Sequence, residues 1–476
     1  MTTRIDHNQI EQDVAGFYRY GMFSHKWEAN EPLFKGVIDK GVYQLQESPT
    51  HNKLKMFCKV IQNDGLNWAW SDTCCINQED PTVLQEALVS MFKWYEGSAL
   101  TVVYLRDVPL RRLVDSIWNN RAWTLQEYHA SKVVRFYNGD WTLYKNLNIP
   151  NHKKSPEILA EMEEATGIPP SALAALRPGL KDIRRKLQLA SKRQSTWVED
   201  AAYSLFGIFS TSLPVVYGER DEALGRLLAR LLTSSGDISI LAWTGKSGTF
   251  NSCLPSKISV FSEFPTPHIP LAPTSSEMET VIRRLRNSSL DLTLVTKFYD
   301  RLNEFRIPHF VGKRMMLPCI FFKLVSLSLF KSGSEQIFRA ETIALGTVEI
   351  KTQTDLSRLS RLYLIHPWTS FLLNQQPVET PSGLSSIPPT RPSDGQDSRP
   401  PPTLTTCEPR DKEMHALQAI ARLRQPFGAL LLTPSHDGVT AFRRVAAENL
   451  ITVQVKEITP EILDKLLDSV RVLGVL

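Results

Sequence analysis

The sequence is poor in the features that mark secreted and membrane proteins. Residues 1–14 carry acidic and polar side chains and no apolar run, so we expect no secretory signal. No stretch approaches the roughly 18 consecutive apolar residues that cross a bilayer. The six cysteines in 476 residues show no paired spacing, and a reducing compartment would keep them as thiols. These absences predict a cytoplasmic protein with no membrane association.

Signatures of metal and nucleic-acid binding are also scarce. No C-x-x-C or related zinc spacing is present, so we predict no metal site. The net charge of +5 is small for this length and gives no electrostatic footprint for nucleic acid. A basic run at 181–193 is more typical of a solvated helix face. We therefore expect no nucleic-acid partner.

Apolar residues are abundant, at 42%, and the length predicts two to four compact units. Short apolar runs predict strands near residues 18–24, 67–72, 100–105 and 132–137. Helical periodicity after Asp80 and Pro81, and again over 116–129, predicts covering helices. Alternating strands and helices predict an α/β domain over 15–150, with a parallel sheet whose strand ends form a crevice.

The rest of the chain changes character several times. Helical patterns at 151–245 predict a helical part that packs on the α/β domain. A connecting segment at 246–289 precedes a β-rich region at 290–373, where β-branched and aromatic residues predominate. Residues 374–410, rich in Pro, Ser and Thr, predict a linker, and 411–476 predict a small C-terminal α/β or α+β unit.

Four sequence blocks occur in order along the first half of the chain. They are Phe23-Ser24-His25-Lys26-Trp27, Trp70-Ser71-Asp72-Thr73-Cys74-Cys75-Ile76-Asn77-Gln78, Arg121-Ala122-Trp123-Thr124-Leu125-Gln126-Glu127, and Glu199-Asp200-Ala201-Ala202-Tyr203-Ser204-Leu205-Phe206-Gly207 with Tyr217-Gly218-Glu219. Their order and separation, over about residues 18–245, resemble the fungal heterokaryon-incompatibility (HET) domain family. One departure is Arg220, where that family often has glycine.

This resemblance implies a fold and an activity. HET domains look like TIR domains, which are flavodoxin-like α/β folds. The stretch from Trp123 to Glu127 is similar to the helix that holds the catalytic glutamate of NAD-cleaving TIR domains. The resemblance therefore implies a TIR-like effector of fungal non-self recognition and programmed cell death. It also implies an NAD nucleosidase that needs no cofactor, uses NAD as substrate and relies on Glu127.

The chemistry of Glu127 agrees with that role but does not require it. A carboxylate beside the ribose can stabilise the oxocarbenium-like state that forms when nicotinamide leaves. Trp123, one helical turn earlier, would place an aromatic wall beside the carboxylate. Alternatively, Glu127 is an exposed helix residue or forms a salt bridge with Arg121 or Lys132.

Five further residues are candidates for contact with the ligand. Asp72 follows a predicted strand and can accept ribose hydroxyls, or it can cap its own turn. Asn77 and Gln78 are amide groups that can bind a ligand or hold their loop. Ser24 and His25 can contact phosphate or ribose, whereas a histidine that packs inside the loop is the alternative. Ser24 and His25 have no third member of a catalytic triad.

A rival hypothesis is a non-enzymatic signalling module that associates with its own copies or with a sensor protein. In that case the same surfaces would serve assembly instead of turnover. Glu199 and Asp200 need no catalytic role in either hypothesis, because acidic residues are favoured where a helix begins.

Overall fold

The computed structural model describes residues 14–263 except 15 and 109, and then 275–287, 290–304, 307–359, 361–369, 409–435 and 441–476. It divides into two compact units. The first comprises Met1–Leu227 and Lys257–Glu263, and the second comprises Leu228–Ser256 and Phe264–Leu476. The predicted linker lies outside the described residues, apart from 409 and 410.

The first unit contains a four-stranded parallel sheet in the order β2-β1-β3-β4. Its strands are β1 (Tyr20–His25), β2 (Trp68–Trp70), β3 (Leu100–Leu105) and β4 (Val134–Asn138). The helices up to residue 235 are α1 (Phe34–Val37), α2 (Pro49–Asn63), α3 (Asp72–Cys75), α4 (Pro81–Gly97), α5 (Thr124–Ala130), α6 (Pro156–Thr166), α7 (Pro170–Ala175), α8 (Ile183–Ser191), α9 (Asp200–Tyr203) and α10 (Glu222–Ser235). The predicted parallel α/β arrangement is confirmed.

Both faces of the sheet are buried at β1, β3 and β4, whereas the edge strand β2 is largely exposed. On one face Phe23 and Val102 pack with Phe57 of α2. On the other face Val103 and Trp118 lie in a second apolar cluster, because successive side chains of β3 point to opposite sides. Helix α2 is absent from the predicted elements. The sequence nonetheless contains the start signal of this helix, which is Ser48 followed by Pro49 at the first helical position. In the structure the Ser48 side chain accepts a hydrogen bond from the His51 N–H.

The predicted helix at 116–129 is wrong in its first half. Helix α5 begins only at Thr124. Ser116 Oγ donates to Asp107 Oδ1 at 2.9 Å, and the Ala122 N–H donates to the Gln194 carbonyl at 2.8 Å. These bonds hold residues 116–123 in turns, and the helix begins only after those turns.

The basic run at 181–193 is a solvated face only in part, since Lys181 and Lys192 are exposed. It forms α8, in which Arg184 and Lys186 are both buried. The Lys186 ammonium donates to the Gly179 carbonyl at 2.7 Å, and the Arg184 guanidinium lies 4.7 Å from the centre of the Phe261 ring. Burial lowers the pKa of Lys186 to about 8. These cations therefore belong to the packing of the first unit.

The second unit is built on one nine-stranded sheet. Its main order is β12-β10-β11-β13-β6-β7-β8, with β5 paired to β6 and with β9 paired to both β10 and β6. The strands are β5 (His309–Val311), β6 (Arg314–Lys331), β7 (Gln336–Thr342), β8 (Gly346–Thr352), β9 (Tyr363–Pro367), β10 (Phe427–Pro434), β11 (Ala441–Val445), β12 (Ile451–Val453) and β13 (Val470–Val475). The helices are α11 (Ser275–Arg286), α12 (Leu292–Glu304), α13 (Pro409–Leu423) and α14 (Pro460–Ser469).

Two predictions for this half of the chain need correction. Residues 292–304 form a helix, although a β-rich region was predicted from residue 290. The C-terminal strands do not make a separate small sheet, because β13 pairs antiparallel with β6 along six residue pairs from Val470↔Ile320 to Val475↔Met315. Within the described residues, no helix is long and apolar enough to cross a membrane.

Candidate functional site

The candidate side chains meet at the carboxyl end of the parallel sheet. Ser24 and His25 are the last residues of β1, and Asp72 opens α3 directly after β2. Glu127 lies in the first turn of α5, and its Oε2 accepts a hydrogen bond from Ser24 Oγ. This bond joins residues 103 positions apart in the chain. Strand β1 lies between β2 and β3, where the connections of the sheet reverse direction and where ligands bind in open α/β folds.

Glu127 is buried, with 3% of its surface exposed, so the exposed alternative is wrong. Its partner Ser24 Oγ also accepts from the Trp118 indole N–H at 2.8 Å, so the serine is held from both sides. Burial raises the pKa of Glu127 to about 7, while Arg121 opposes that rise and the nearby Asp72 carboxylate adds to it. A carboxyl group that titrates near neutral pH is a feature of acid–base and electrostatic catalysts.

Asp72 is the second acidic group of the site. Its Oδ2 accepts from the Trp27 indole N–H at 2.7 Å, whereas its buried Oδ1 has no hydrogen-bond partner. Burial raises the pKa of Asp72 to about 6, against the lowering effects of Arg121, Trp27 and the Thr73 backbone N–H. The bond from Trp27, 45 residues earlier in the chain, is not the turn cap of the alternative, and the other carboxylate oxygen is without a hydrogen-bond partner.

His25 is buried at the end of β1 and packs against Phe23. Its ring stacks on Phe23 with centroids 4.2 Å apart, and neither ring nitrogen has a hydrogen-bond partner. Burial holds the pKa of His25 well below its usual range, and Lys53 and Arg121 lower it further. His25 is therefore neutral, and its 3.7 Å approach to Glu31 is not an ion pair. The Gln126 amide, also buried, leaves both of its polar atoms unpartnered.

Arg121 is the shared cation of the cluster. Its Nη1 donates to the His25 carbonyl at the end of β1. Its charge also lowers the pKa values of Asp72, Glu127 and Asp200. Sequence reasoning named Arg121 only as a salt-bridge partner of Glu127. The position of Arg121 among three acidic residues depends on tertiary contacts between distant parts of the chain. No local sequence pattern reveals such contacts.

Asp200 was also missed, because the sequence explained it as a helix-opening acid. The Tyr217 hydroxyl donates to Asp200 Oδ1 at 2.9 Å. Burial raises the pKa of Asp200, and hydrogen bonds from Trp123 and Tyr217 partly offset that rise. Asp200 is thus tied to the ring that precedes Glu127 by one turn. The adjacency of Asp200 to Trp123 is a tertiary contact between two of the four sequence blocks.

Glu199 immediately precedes α9, as predicted for a residue that opens a helix, and it also holds a second turn. Its Oε1 accepts from the Gly218 and Arg220 N–H groups, each at 2.8 Å. Arg220 has a φ of 56°, in the left-handed region that glycine adopts most easily. Glu199 therefore stabilises a turn that Arg220 would otherwise disfavour.

Asn77 and Gln78 lie apart from the Glu127 cluster. Both line a cavity of about 720 Å³, together with Glu31 and Thr73. Asn77 Oδ1 accepts from the Glu79 N–H at 3.3 Å, which supports the loop-holding alternative, and Gln78 is exposed. Thr73 follows Asp72, so the cavity approaches the site from the β2 side.

Neither metal nor disulfide chemistry is built into the described region. No group of three His, Cys, Asp or Glu side chains within the described ranges is placed to bind a metal ion. Cys58, Cys74, Cys75, Cys253 and Cys319 are free thiols, and Cys407 lies outside the described residues.

Comparison with known proteins finds a family that is similar to part of this region. Residues 20–108, which contain Ser24, His25 and Asp72, match the family described as heterokaryon incompatibility protein (HET). This region of the chain is therefore similar to the HET domain. Vegetative incompatibility protein HET-E-1 of Podospora anserina is 32% identical to it over 263 residues, which is 49% of this chain and 18% of that relative. The chain thus spans less than a fifth of the curated relative it matches, and no solved structure matches it.

Proposed function

We propose that this protein is a HET-domain effector of fungal non-self recognition that triggers programmed cell death. We further propose that its α/β unit hydrolyses NAD at the nicotinamide–ribose bond. The role in incompatibility draws support from the HET match and from the name of the Podospora relative, a vegetative incompatibility protein. The observation that carries the enzymatic part is the buried Glu127 at the strand ends, one turn after Trp123.

The fold is compatible with a TIR-like reading. The order β2-β1-β3-β4 is the first part of the flavodoxin-type order 2-1-3-4-5. Ligands of such folds bind at the carboxyl ends of the strands near β1 and β3, where Ser24 bonds to Glu127. The unpartnered polar atoms of His25 and Asp72 are groups that ribose hydroxyls would satisfy.

In the proposed reaction, the bond from the ribose carbon to the nicotinamide nitrogen breaks, and nicotinamide leaves as a neutral molecule with the bonding electrons. The ionised Glu127 carboxylate stabilises the positive charge that develops on the ribose. Water then adds to that carbon and releases a proton, which gives ADP-ribose. Trp123 would flank the nicotinamide ring, and Arg121 would keep Glu127 ionised.

NAD consumption by the purified full chain tests this proposal, with nicotinamide and ADP-ribose separated by chromatography. Glu127→Gln removes the charge but keeps an oxygen that can accept from Ser24, so we expect turnover to fall by at least about a hundredfold. Glu163→Gln makes the same chemical change on the exposed side of α6 and should leave turnover intact. Equal NAD loss in all three proteins would refute a catalytic role for Glu127.

The pH dependence of turnover supplies a second test. Glu127 acts as a carboxylate and its pKa lies at about 7, so the rate should rise as pH increases through about 7. A rate that is flat between pH 5 and pH 9, values that span this pKa with a margin of about 2 units, would contradict the assignment.

The burial of Glu127 favours a second candidate function, a non-enzymatic module that associates with its own copies or with a sensor protein. With 3% of its surface exposed, Glu127 can serve to fasten α5 to β1 through Ser24. Fungal cells that express Glu127→Gln would then still die. Light scattering of the purified chain would show a dimer or filament, with no loss of NAD.

A further inference from the structure

Arg193 is a buried cation that neither the sequence nor the proposed reaction uses. It follows α8, has 9% of its surface exposed and donates from both terminal nitrogens. Nη1 donates to the Arg121 carbonyl at 3.0 Å and to Thr124 Oγ1 at 2.8 Å. Nη2 donates to Asn119 Oδ1 at 3.2 Å. All three acceptors lie in the turns that precede and open α5.

The backbone after Arg193 holds the same turns. The Gln194 N–H donates to the Asn120 carbonyl at 2.6 Å, and the Ala122 N–H donates to the Gln194 carbonyl at 2.8 Å. These two bonds form a parallel bridge between Arg121 and Gln194. The segment after α8 thereby fixes where α5 begins, and the start of α5 determines where Glu127 lies.

Among the described residues, no carboxylate accepts a hydrogen bond from Arg193. Within the described part of the chain, its hydrogen bonds go to carbonyl, hydroxyl and amide oxygens. Burial lowers the pKa of Arg193 to about 10, so the group remains charged at neutral pH, and Glu127 acts to keep it protonated. A buried unpaired cation is costly, and such a cost is commonly retained where the charge serves a site.

We propose that Arg193 is a positioning residue for Glu127: its guanidinium anchors the turn that opens α5 and supplies a fixed positive charge behind the carboxylate. The segment after α8 is thus part of the site, although the family match ends at residue 108. The catalytic meaning of this arrangement rests on the proposed NAD hydrolysis. The geometric and electrostatic coupling between Arg193 and Glu127 does not depend on that reaction.

Other groups also act on Glu127 and must be held constant in a test. Arg121 attracts the carboxylate, Asp72 repels it and Ser24 donates to it. The buried Tyr95 on α4 also feels the charge of Glu127. Arg193 approaches from beyond α8, so its replacement leaves the β1, α3 and α4 groups in place.

The titration of Glu127 tests the proposal in the full chain without any substrate. Carbon-13 NMR of carboxyl-labelled glutamate, assigned by the loss of one signal in Glu127→Gln, gives the midpoint directly. In Arg193→Gln the midpoint should rise by about one pH unit, because a charge that favours the ionised form is lost. Arg193→Lys keeps a charge but loses the forked donors, so it should shift the midpoint less.

A nearly isosteric variant covers the case in which Arg193→Gln fails to fold. Asn119→Asp places a carboxylate against Arg193 Nη2, neutralises its charge and should also raise the midpoint of Glu127. An unchanged midpoint in the folded variants would overturn the proposal. A raised midpoint would support it even if no NAD turnover occurs, in which case only the proposed hydrolysis fails. If the wild type turns over NAD, the pH–rate profile of Arg193→Gln should be shifted to higher pH relative to the wild type. The size of this shift should match the change in the NMR midpoint of Glu127.

Discussion

Replacing Glu127 by glutamine should make this protein more stable at alkaline pH. The buried carboxyl group has its pKa raised from 4.5 to about 7 in the folded state. A raised carboxyl pKa contributes stability that is present below pH 4.5 and is lost as pH rises through about 7, because the folded state then has to hold a buried charge. Glutamine keeps an acceptor for Ser24 and never acquires that charge.

The size of the effect follows from the shift. At roughly 1.4 kcal/mol per pKa unit, the full rise corresponds to about 3 kcal/mol, of which about 2.5 kcal/mol falls between pH 5 and pH 8. Between those two pH values the wild type should lose about 2.5 kcal/mol more folding free energy than Glu127→Gln. Asp72, whose pKa is raised to about 6, leaves a smaller slope in both proteins.

Urea unfolding of the full chain at pH 5 and pH 8 measures this difference. Because the chain has two compact units, hydrogen exchange of peptides from β1 and β3 should report the transition of the first unit alone. Glu163→Gln, an exposed change of the same kind, should follow the wild type. Parallel loss of stability in the wild type and in Glu127→Gln would refute the inference that Glu127 is buried and protonated below pH 7.

Three further predictions address the packing and charge of the same unit. Gly207→Ala should lower the free energy of unfolding by about 3 kcal/mol in thermal or urea denaturation, because a Cβ at this position would lie 2.1 Å from Phe92 Cβ. As a control, Gly36→Ala should leave that free energy almost unchanged, because a Cβ there meets nothing within 4 Å. Asp80→Ala should cost about 1 kcal/mol through loss of the bonds from the Thr82 and Val83 N–H groups, and Asp80→Asn should restore most of it. Asp72→Asn should lower the NMR midpoint of Glu127, opposite to the effect of Arg193→Gln, since it removes a repelling charge. A midpoint that rises, or a Gly207→Ala protein as stable as the wild type, would contradict the geometry described.

The four parallel strands were predictable because each is a short apolar run between polar turns, and in β1, β3 and β4 burial on both faces leaves that mark in a sequence. The helix that begins after Asp80 was equally predictable, since its cap, its first-turn proline and its apolar face are all local. The HET resemblance also follows from the sequence alone, because the four blocks retain their order. The same blocks identified Glu127 and Asp72 as the acids to examine.

Local sequence did not determine how these blocks meet. The bond from Ser24 to Glu127 and the contact of Asp200 with Trp123 join residues far apart in the chain, and their partners are set by sheet order and helix docking. Burial, which raises the pKa of Glu127, is likewise a property of the packed unit, so no pattern in the sequence could distinguish it from an exposed glutamate. For the same reason the basic run at 181–193 looked solvated although Lys186 lies inside the unit. Residue types and their order thus identify a family and a set of candidates, whereas charge state and mutual position arise only when distant segments pack together.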